Sequence, residues 1–188
     1  MRVNALVTSM LVVLLALAGS SAASAGQSAR TGGAEFSEQE AAPAKPIVAG
    51  DTAKIIKGVA HAPAAAPAAV QNAVWAANKI VGKPYRYGGG HARFRDTGYD
   101  CSGTISVALN GAGTLDSPLD SSSFMRWGEA GKGAWITVYT NPGHAFVVIA
   151  GLRLDTSAAG DPGGRKGPRW RPALRSTRGF RARHPEGL

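Results

Sequence analysis

The chain is poor in cysteine: one in 188 residues. That excludes a disulfide scaffold and any site that needs two thiolates. Aromatic residues are 7% of the chain, and acidic residues number 12 against 21 basic ones, a formal net charge of +9. With so few carboxylates, no pair stands out for glycosidase-type acid–base work. There is no H-E-x-x-H and no His/Asp cluster at metal-ligand spacing. Gly160 to Gly167 has the look of a phosphate loop, but Arg165 stands where that motif needs glycine and no Lys-Ser/Thr pair follows. Glycine is abundant, 25 residues, yet without the three-residue period of collagen. Hydrophobic content of 44% and charged content of 18% are those of an ordinary globular domain, and the length leaves room for one.

No apolar run is long enough for a membrane span. The longest, Ala5 to Ala18, follows Arg2 and precedes Ala23-Ser24-Ala25, an A-x-A cleavage site. Residues 1–25 therefore read as a secretory signal peptide, and the protein as secreted, in an extracellular, cell-wall or periplasmic compartment. Export changes the meaning of the lone Cys101, because an unpaired thiol in an oxidising compartment needs a reason.

Residues 26–67 are Ala/Pro-rich and read as linker, with Pro46 to Ala60 as an extended arm that docks on the domain. Ala68 to Val81 reads as a helix: Pro67 precedes it, Val70, Val74, Ala77 and Val81 recur at helical spacing, and Gly82 and Pro84 end it. Tyr85 to Tyr99 is a Gly- and Arg-rich loop. Asp100 to Leu109 reads as a second helix, followed by loop with a helical turn around Phe124. Ala134 to Thr140 and His144 to Ala150 are β-rich and flank Asn141-Pro142-Gly143, a hairpin signal, and Leu152 to Thr156 is a third strand. Asp161 to Gly167 is loop. Helices followed by strands give an α+β class with an antiparallel sheet.

Cys101 opens the second helix. A thiol there faces unpaired backbone N–H groups and the positive end of the helix dipole, which favour the thiolate. The same N–H groups suit a developing oxyanion. A small buried hydrophobe is the alternative reading. Of the four histidines, His61 lies in the linker, His184 in the tail and His91 in a flexible loop. His144 alone opens a rigid strand, where an imidazole is fixed in place as a base. Asp155 lies in the next strand. There it either accepts the Nδ1–H of His144 or forms a surface turn ahead of Thr156-Ser157.

Pro84-Tyr85-Arg86-Tyr87-Gly88-Gly89, then Asp100-Cys101-Ser102-Gly103, then Gly143-His144-Ala145-Phe146-Val147-Val148 resemble the motifs of the NlpC/P60 cysteine peptidases, over about residues 68–156. The resemblance implies a papain-like α+β fold, the nucleophile helix packed on a small antiparallel sheet, with a catalytic domain over 68–175. It implies hydrolysis of peptidoglycan stem peptides, most often between D-γ-glutamyl and a diamino acid. It makes Cys101 the nucleophile and His144 the base, with no metal or cofactor. The family's third polar residue, usually His, Asn or Gln, falls at Asp155. Tyr85 matches a tyrosine near the nucleophile, an oxyanion helper, and Asp100 and Ser102 match positions that meet the substrate's free amino group. The interval from Cys101 to His144 is short for the family, and its Gly-Asp-Leu stretch is replaced by Gly133 to Tyr139. A divergent member is implied. An amidase or acyltransferase using the same site, and a cell-wall-binding module with a dead site, are the rival readings.

Residues 165–188 hold eight Arg and Lys against Glu186, with Trp170 and Phe180 interleaved. Residues 176–188 read as a basic C-terminal tail. In an exported protein its partners are anionic wall polymers rather than nucleic acid. The alternative is a solvated tail pinned by its aromatics.

Overall fold

The computed structural model describes residues 45–159, 164–171 and 174–188. The expected signal peptide and the first part of the expected linker lie outside these residues. Among the described residues no helix is long and apolar enough to cross a membrane.

The described chain begins with three short strands, β1 (Ile47–Val48), β2 (Lys54–Ile56) and β3 (Val59–Pro63), in one small sheet with β3 central. The β2–β3 hairpin turns on Lys57 and Gly58, both at positive φ, the conformation a tight two-residue hairpin loop requires. This corrects the linker reading over residues 26–67: from Lys45 onward the segment is folded. Its alanines are why composition misled. Ala60 and Ala62 are fully buried, and their small side chains let the strand lie close against helix α1 (Ala68–Asn78). The Asn78 side chain fastens the strand by donating to the Ala60 carbonyl (2.8 Å) and accepting from its N–H (3.1 Å).

Helix α1 buries Val70, Ala73, Val74 and Ala77, a stripe at helical spacing. Helix α2 (Cys101–Gly111) is buried at every position from Cys101 to Leu109. It lies between α1 and a second sheet. Ser, Gly, Thr and Asn make it a weak helix by propensity. Its cap and its burial hold it: Asp100 accepts from the Gly103 N–H at 2.9 Å. Its buried hydroxyls are satisfied, Thr104 donating to the Asp100 carbonyl (2.7 Å) and Ser106 accepting from the Leu119 N–H (3.1 Å). Gly103 is required for close approach, since a Cβ there would run into the Gly89 carbonyl. A short helix α3 (Ser121–Phe124) follows.

The second sheet is built from β4 (Glu129–Ala130), β5 (Ile136–Asn141), β6 (His144–Ile149), β7 (Leu152–Asp155), β8 (Arg169–Arg171) and β9 (Arg181–His184). Its order is β4-β9-β5-β6-β7-β8, and all the pairings are antiparallel. The fold is therefore α+β, as the sequence order predicts, and the helix, hairpin and third-strand readings all have counterparts within a few residues. The basic tail does not. Residues 181–184 form β9 inside the sheet, between β4 and β5. The charges that suggested a solvated tail are used structurally: Arg183 donates through Nε to the Trp127 carbonyl (2.6 Å), and His184 pairs with Glu129 (3.0 Å). The fully buried core, including Ile105, Leu109, Ile136, Val147, Ile149 and Leu154, fills the space between α1/α2 and this sheet. Each such aliphatic side chain contributes about 1.5–3 kcal/mol by leaving water.

Candidate active site

Three elements meet at one point. α2 contributes Cys101 as its first residue, β6 contributes His144 as its first, and β7 contributes Asp155 as its last. The hairpin fixes the histidine. The Asn141 side chain accepts from the backbone N–H of Gly143 (3.0 Å) and of His144 (2.9 Å), an Asx turn that locks the backbone where the ring starts. The register Val147↔Leu154 brings the end of β7 back beside the start of β6.

His144 Nε2 donates to Asp155 Oδ1 at 2.9 Å. The sequence reading assigned Nδ1 to this contact; the ring is turned the other way. Nδ1 is thereby the nitrogen left for the thiol. Asp155 is fully buried and its carboxylate is saturated. Oδ1 also accepts from the Ser157 N–H (2.8 Å), and Oδ2 accepts from Arg175 (3.2 Å) with Arg153 Nε at 3.6 Å. Burial alone would push this carboxyl up. The His144 hydrogen bond, the Ser157 N–H, the imidazolium charge and Arg175 outweigh it and hold the carboxyl below its ordinary value.

The same competition sets the other two groups. For Cys101, burial raises the thiol, while hydrogen bonds to His144, to Ser121 (3.5 Å between Sγ and Oγ) and from the Ala145 backbone, with the imidazolium charge, bring it below its usual 9.0. For His144, burial opposes the charged form, but Asp155 and the thiolate raise its pKa from 6.5 to about 9. Both directions favour one charge state, a thiolate–imidazolium pair braced by a buried carboxylate.

Tyr85 reaches the site from a loop clamped to Tyr99, with Tyr99 N–H on the Pro84 carbonyl (3.1 Å) and Arg86 N–H on the Tyr99 carbonyl (3.2 Å). Its hydroxyl is held above its ordinary pKa, first by burial and then by the nearby Cys101, Asp100 and Tyr87 charges. A cleft of about 370 Å³ opens over Cys101, and Tyr85, Tyr87, Asp100, Ser102, Asp120 and Ser121 are among its lining residues. The structure thus brings the six sequence-selected residues, Cys101, His144, Asp155, Tyr85, Asp100 and Ser102, to one place.

Three neighbours were not singled out from the sequence. His91 is not part of a free loop: its Nε2 lies 3.0 Å from both Asp100 Oδ1 and Ser102 Oγ. The only signal for it was the Gly88-Gly89-Gly90 run before it, which lets the loop fold tightly over α2. Ser121 follows Asp120, whose side chain caps α3 by accepting from the Ser123 N–H (2.6 Å); a capping pattern was legible, its nearness to Cys101 was not. Arg175 carries no local signal. It lies over the rings of Phe146 (5.2 Å) and Phe180 (5.4 Å), and Phe180 in turn meets the His144 ring edge-on at 6.3 Å. Among the described residues no group of His, Cys, Asp and Glu is gathered in a way that could hold a metal ion.

No family model matches the chain, and no curated protein matches it. Among solved structures, the chain is similar to the peptidoglycan hydrolase RipB from Mycobacterium tuberculosis, with 21% identity and a TM-score of 0.45 over 62% of this chain and 64% of that one. It is similar to the Resuscitation Promoting Factor Interacting protein RipA, with 20% identity and a TM-score of 0.45 over 61% of each chain. A hypothetical invasion protein of Mycobacterium tuberculosis matches with 20% identity and a TM-score of 0.44 over 62% of this chain and 61% of that one. The chain thus spans less than two thirds of the length of each of these structures. At these values the functional reading rests on the site's own geometry.

Proposed function

We propose that this protein is a secreted cysteine peptidase that hydrolyses amide bonds of peptidoglycan stem peptides, in the manner of the NlpC/P60 enzymes its motifs resemble. The observation that carries the reading is the line Cys101–His144–Asp155, with the thiol at a helix N-terminus and at the floor of an open cleft. A thiol lowered by burial-opposing partners, beside a base with its own orienting carboxylate, is what nucleophilic catalysis requires.

The Cys101 thiolate attacks the amide carbon, and the carbonyl electrons move onto oxygen. The Cys101 N–H, the first of α2, has no acceptor within the helix and stabilises that oxyanion, with Tyr85 beside it. The imidazolium of His144 gives its proton to the amide nitrogen, the C–N bond breaks, and an amine leaves while the acyl group stays on sulfur. Neutral His144 then takes a proton from water, and the hydroxide attacks the thioester. Collapse releases the carboxylic acid, and the thiol is recovered as the ion pair. Asp155 keeps the imidazole turned throughout and favours its charged form whenever the ring holds the second proton. Asp100 and Ser102, joined by His91, form the acceptor group for a substrate amine in the cleft. The D-γ-glutamyl–diamino acid bond is the specific bond proposed. Within residues 176–188, the exposed Arg178 and Arg181 are the residues we propose to meet anionic wall polymers.

The test uses the mature protein and its Cys101→Ala variant on purified peptidoglycan and defined muropeptides, with products read by mass spectrometry. New peptide termini from the wild type alone are expected, and they name the bond. Absence of products from both proteins, with retained binding to cell walls, would replace the peptidase by a wall-binding module. A product carrying a new acyl acceptor in place of water would identify an acyltransferase.

A further inference from the structure

A second cleft, of about 250 Å³, is lined by Tyr85, His144, Thr156, Ser157 and Lys166. Tyr85 borders both clefts. The first cleft includes Cys101 and not His144; the second includes His144 and not Cys101. That division gives the substrate a direction, on the hydrolase reading above. The amine that departs must take its proton from His144, so the residue bearing that amine lies on the His144 side. The acyl part remains on sulfur, over the first cleft.

The two sides differ in charge. The acyl side has the carboxylates of Asp100 and Asp120. Among the described residues, the amine side has no carboxylate in its lining. It presents the ammonium of Lys166, the hydroxyls of Thr156, Ser157 and Tyr85, and the His144 imidazolium.

The backbone that carries Lys166 is held in place. Gly167 N–H donates to the Thr156 carbonyl (2.9 Å), and Gly82 N–H donates to the Pro168 carbonyl (3.1 Å). Arg171, 2% exposed, donates to the Arg165 carbonyl at 2.7 Å. Gly167 has φ +107°, and a Cβ there would lie 2.6 Å from the Lys83 carbonyl oxygen and 3.1 Å from the Tyr85 nitrogen. Glycine is needed there for both reasons. The residue that follows Lys166 is therefore wedged against the strand of chain that positions Tyr85.

We propose that this second cleft is an anion subsite, with Lys166 binding a carboxylate carried by the amine-side part of the substrate. The preferred substrate is then a short peptide with a free carboxylate beyond the scissile bond, rather than one amidated or cross-linked at that position. Lys166 is a specificity residue; it takes no part in bond breaking.

The experiment compares two peptides, L-Ala-D-γ-Glu-L-Lys-D-Ala as the C-terminal free acid and as the C-terminal amide, with wild type, Lys166→Ala, Lys166→Glu and Lys166→Arg proteins. In parallel, L-Lys-D-Ala and its amide are titrated into the Cys101→Ala protein, with and without Lys166→Ala, by calorimetry. The wild type is expected to favour the acid by roughly five- to tenfold in kcat/KM, expressed in KM, the size of one partly exposed charge-assisted contact. Lys166→Ala brings the acid-to-amide ratio toward one, Lys166→Glu reverses it and Lys166→Arg keeps it. The dipeptide acid binds the Cys101→Ala protein more tightly than its amide, and only when Lys166 is present. Equal use of acid and amide by the wild type, or an undiminished preference in Lys166→Ala, overturns the subsite. If neither peptide is cut, the hydrolase reading fails, and the calorimetric acid-to-amide difference still decides for or against the subsite.

Discussion

His144 holds its proton to about pH 9, where an ordinary histidine loses it near 6.5, because a buried carboxylate and a thiolate both face the ring. Against the rise from burial, the ring's hydrogen bond, with its charge, in turn lowers Cys101 below 9.0. The sign follows from the pair. Catalysis needs thiolate and imidazolium together, so activity rises as Cys101 ionises, below its usual 9.0, and falls as His144 loses its proton near pH 9. Asp155→Asn keeps a hydrogen-bond acceptor but removes the anion. The alkaline limb of kcat/KM is expected to move down from about 9 toward neutral pH, and the acid limb to move up, narrowing the profile. An unshifted alkaline limb would show that Asp155 does not hold the charge. Cys101 and His144 were legible in the sequence because each opens an element, while Asp155 stayed open between an orienting carboxylate and a surface turn because its role depends on strand register. Which imidazole nitrogen faces Asp155 was not legible, since ring orientation is set by three-dimensional packing, including the Phe180 edge. Arg175 was invisible for the same reason: it reaches Asp155 across 20 residues of chain.

At the scale of elements, the frame depends on junctions that carry no strong sequence pattern. Asn78 ends α1 and ties it to two strands: its side chain bonds both backbone groups of Ala60 and accepts from Trp170 Nε1 at 2.8 Å. Asn78→Ala strips partners from three partly buried groups and is expected to cost about 2–4 kcal/mol in denaturant unfolding, read at constant m-value. A change under about 0.5 kcal/mol, the usual size for a surface site, would mean these bonds are replaced by water at no loss. The strand β9 is the clearer case. It lies between β4 and β5, so removal of residues 178–188 leaves β5 with a bare hydrogen-bonding edge. The truncated protein is expected to aggregate or unfold, seen as loss of cooperative thermal unfolding. A truncated protein that unfolds cooperatively at the parent temperature would contradict the described role. Neither β3 nor β9 was legible as a strand. Alanine and proline masked the first, and the arginines of the second read as solvated charge because the partners of Arg183 are backbone carbonyls far away in sequence. The β5–β6 hairpin was legible because apolar β-branched runs flank an Asn-Pro-Gly turn.

At the scale of the molecule, a chain of net charge +9 gathers carboxylates at one cleft and keeps Lys166 at the other. On the proposed function, the basic surface would favour approach to a polyanionic wall and the acidic cleft would select what enters. Retention on purified cell walls is expected to fall steeply as salt rises, and more so after Arg178→Ser and Arg181→Ser together. Salt-independent retention would place wall binding in the clefts rather than on the basic face. All of this presumes that Cys101 is a thiolate because of His144. The measurement that tests it most directly is the rate of iodoacetamide alkylation of Cys101 against pH, by mass spectrometry, in the wild type and in His144→Gln. The wild type should react with a midpoint below 9.0. In His144→Gln that midpoint should rise to the ordinary thiol value or above, since burial then acts unopposed by the imidazolium. The same midpoint in both proteins would contradict the pair, and with it the proposed chemistry.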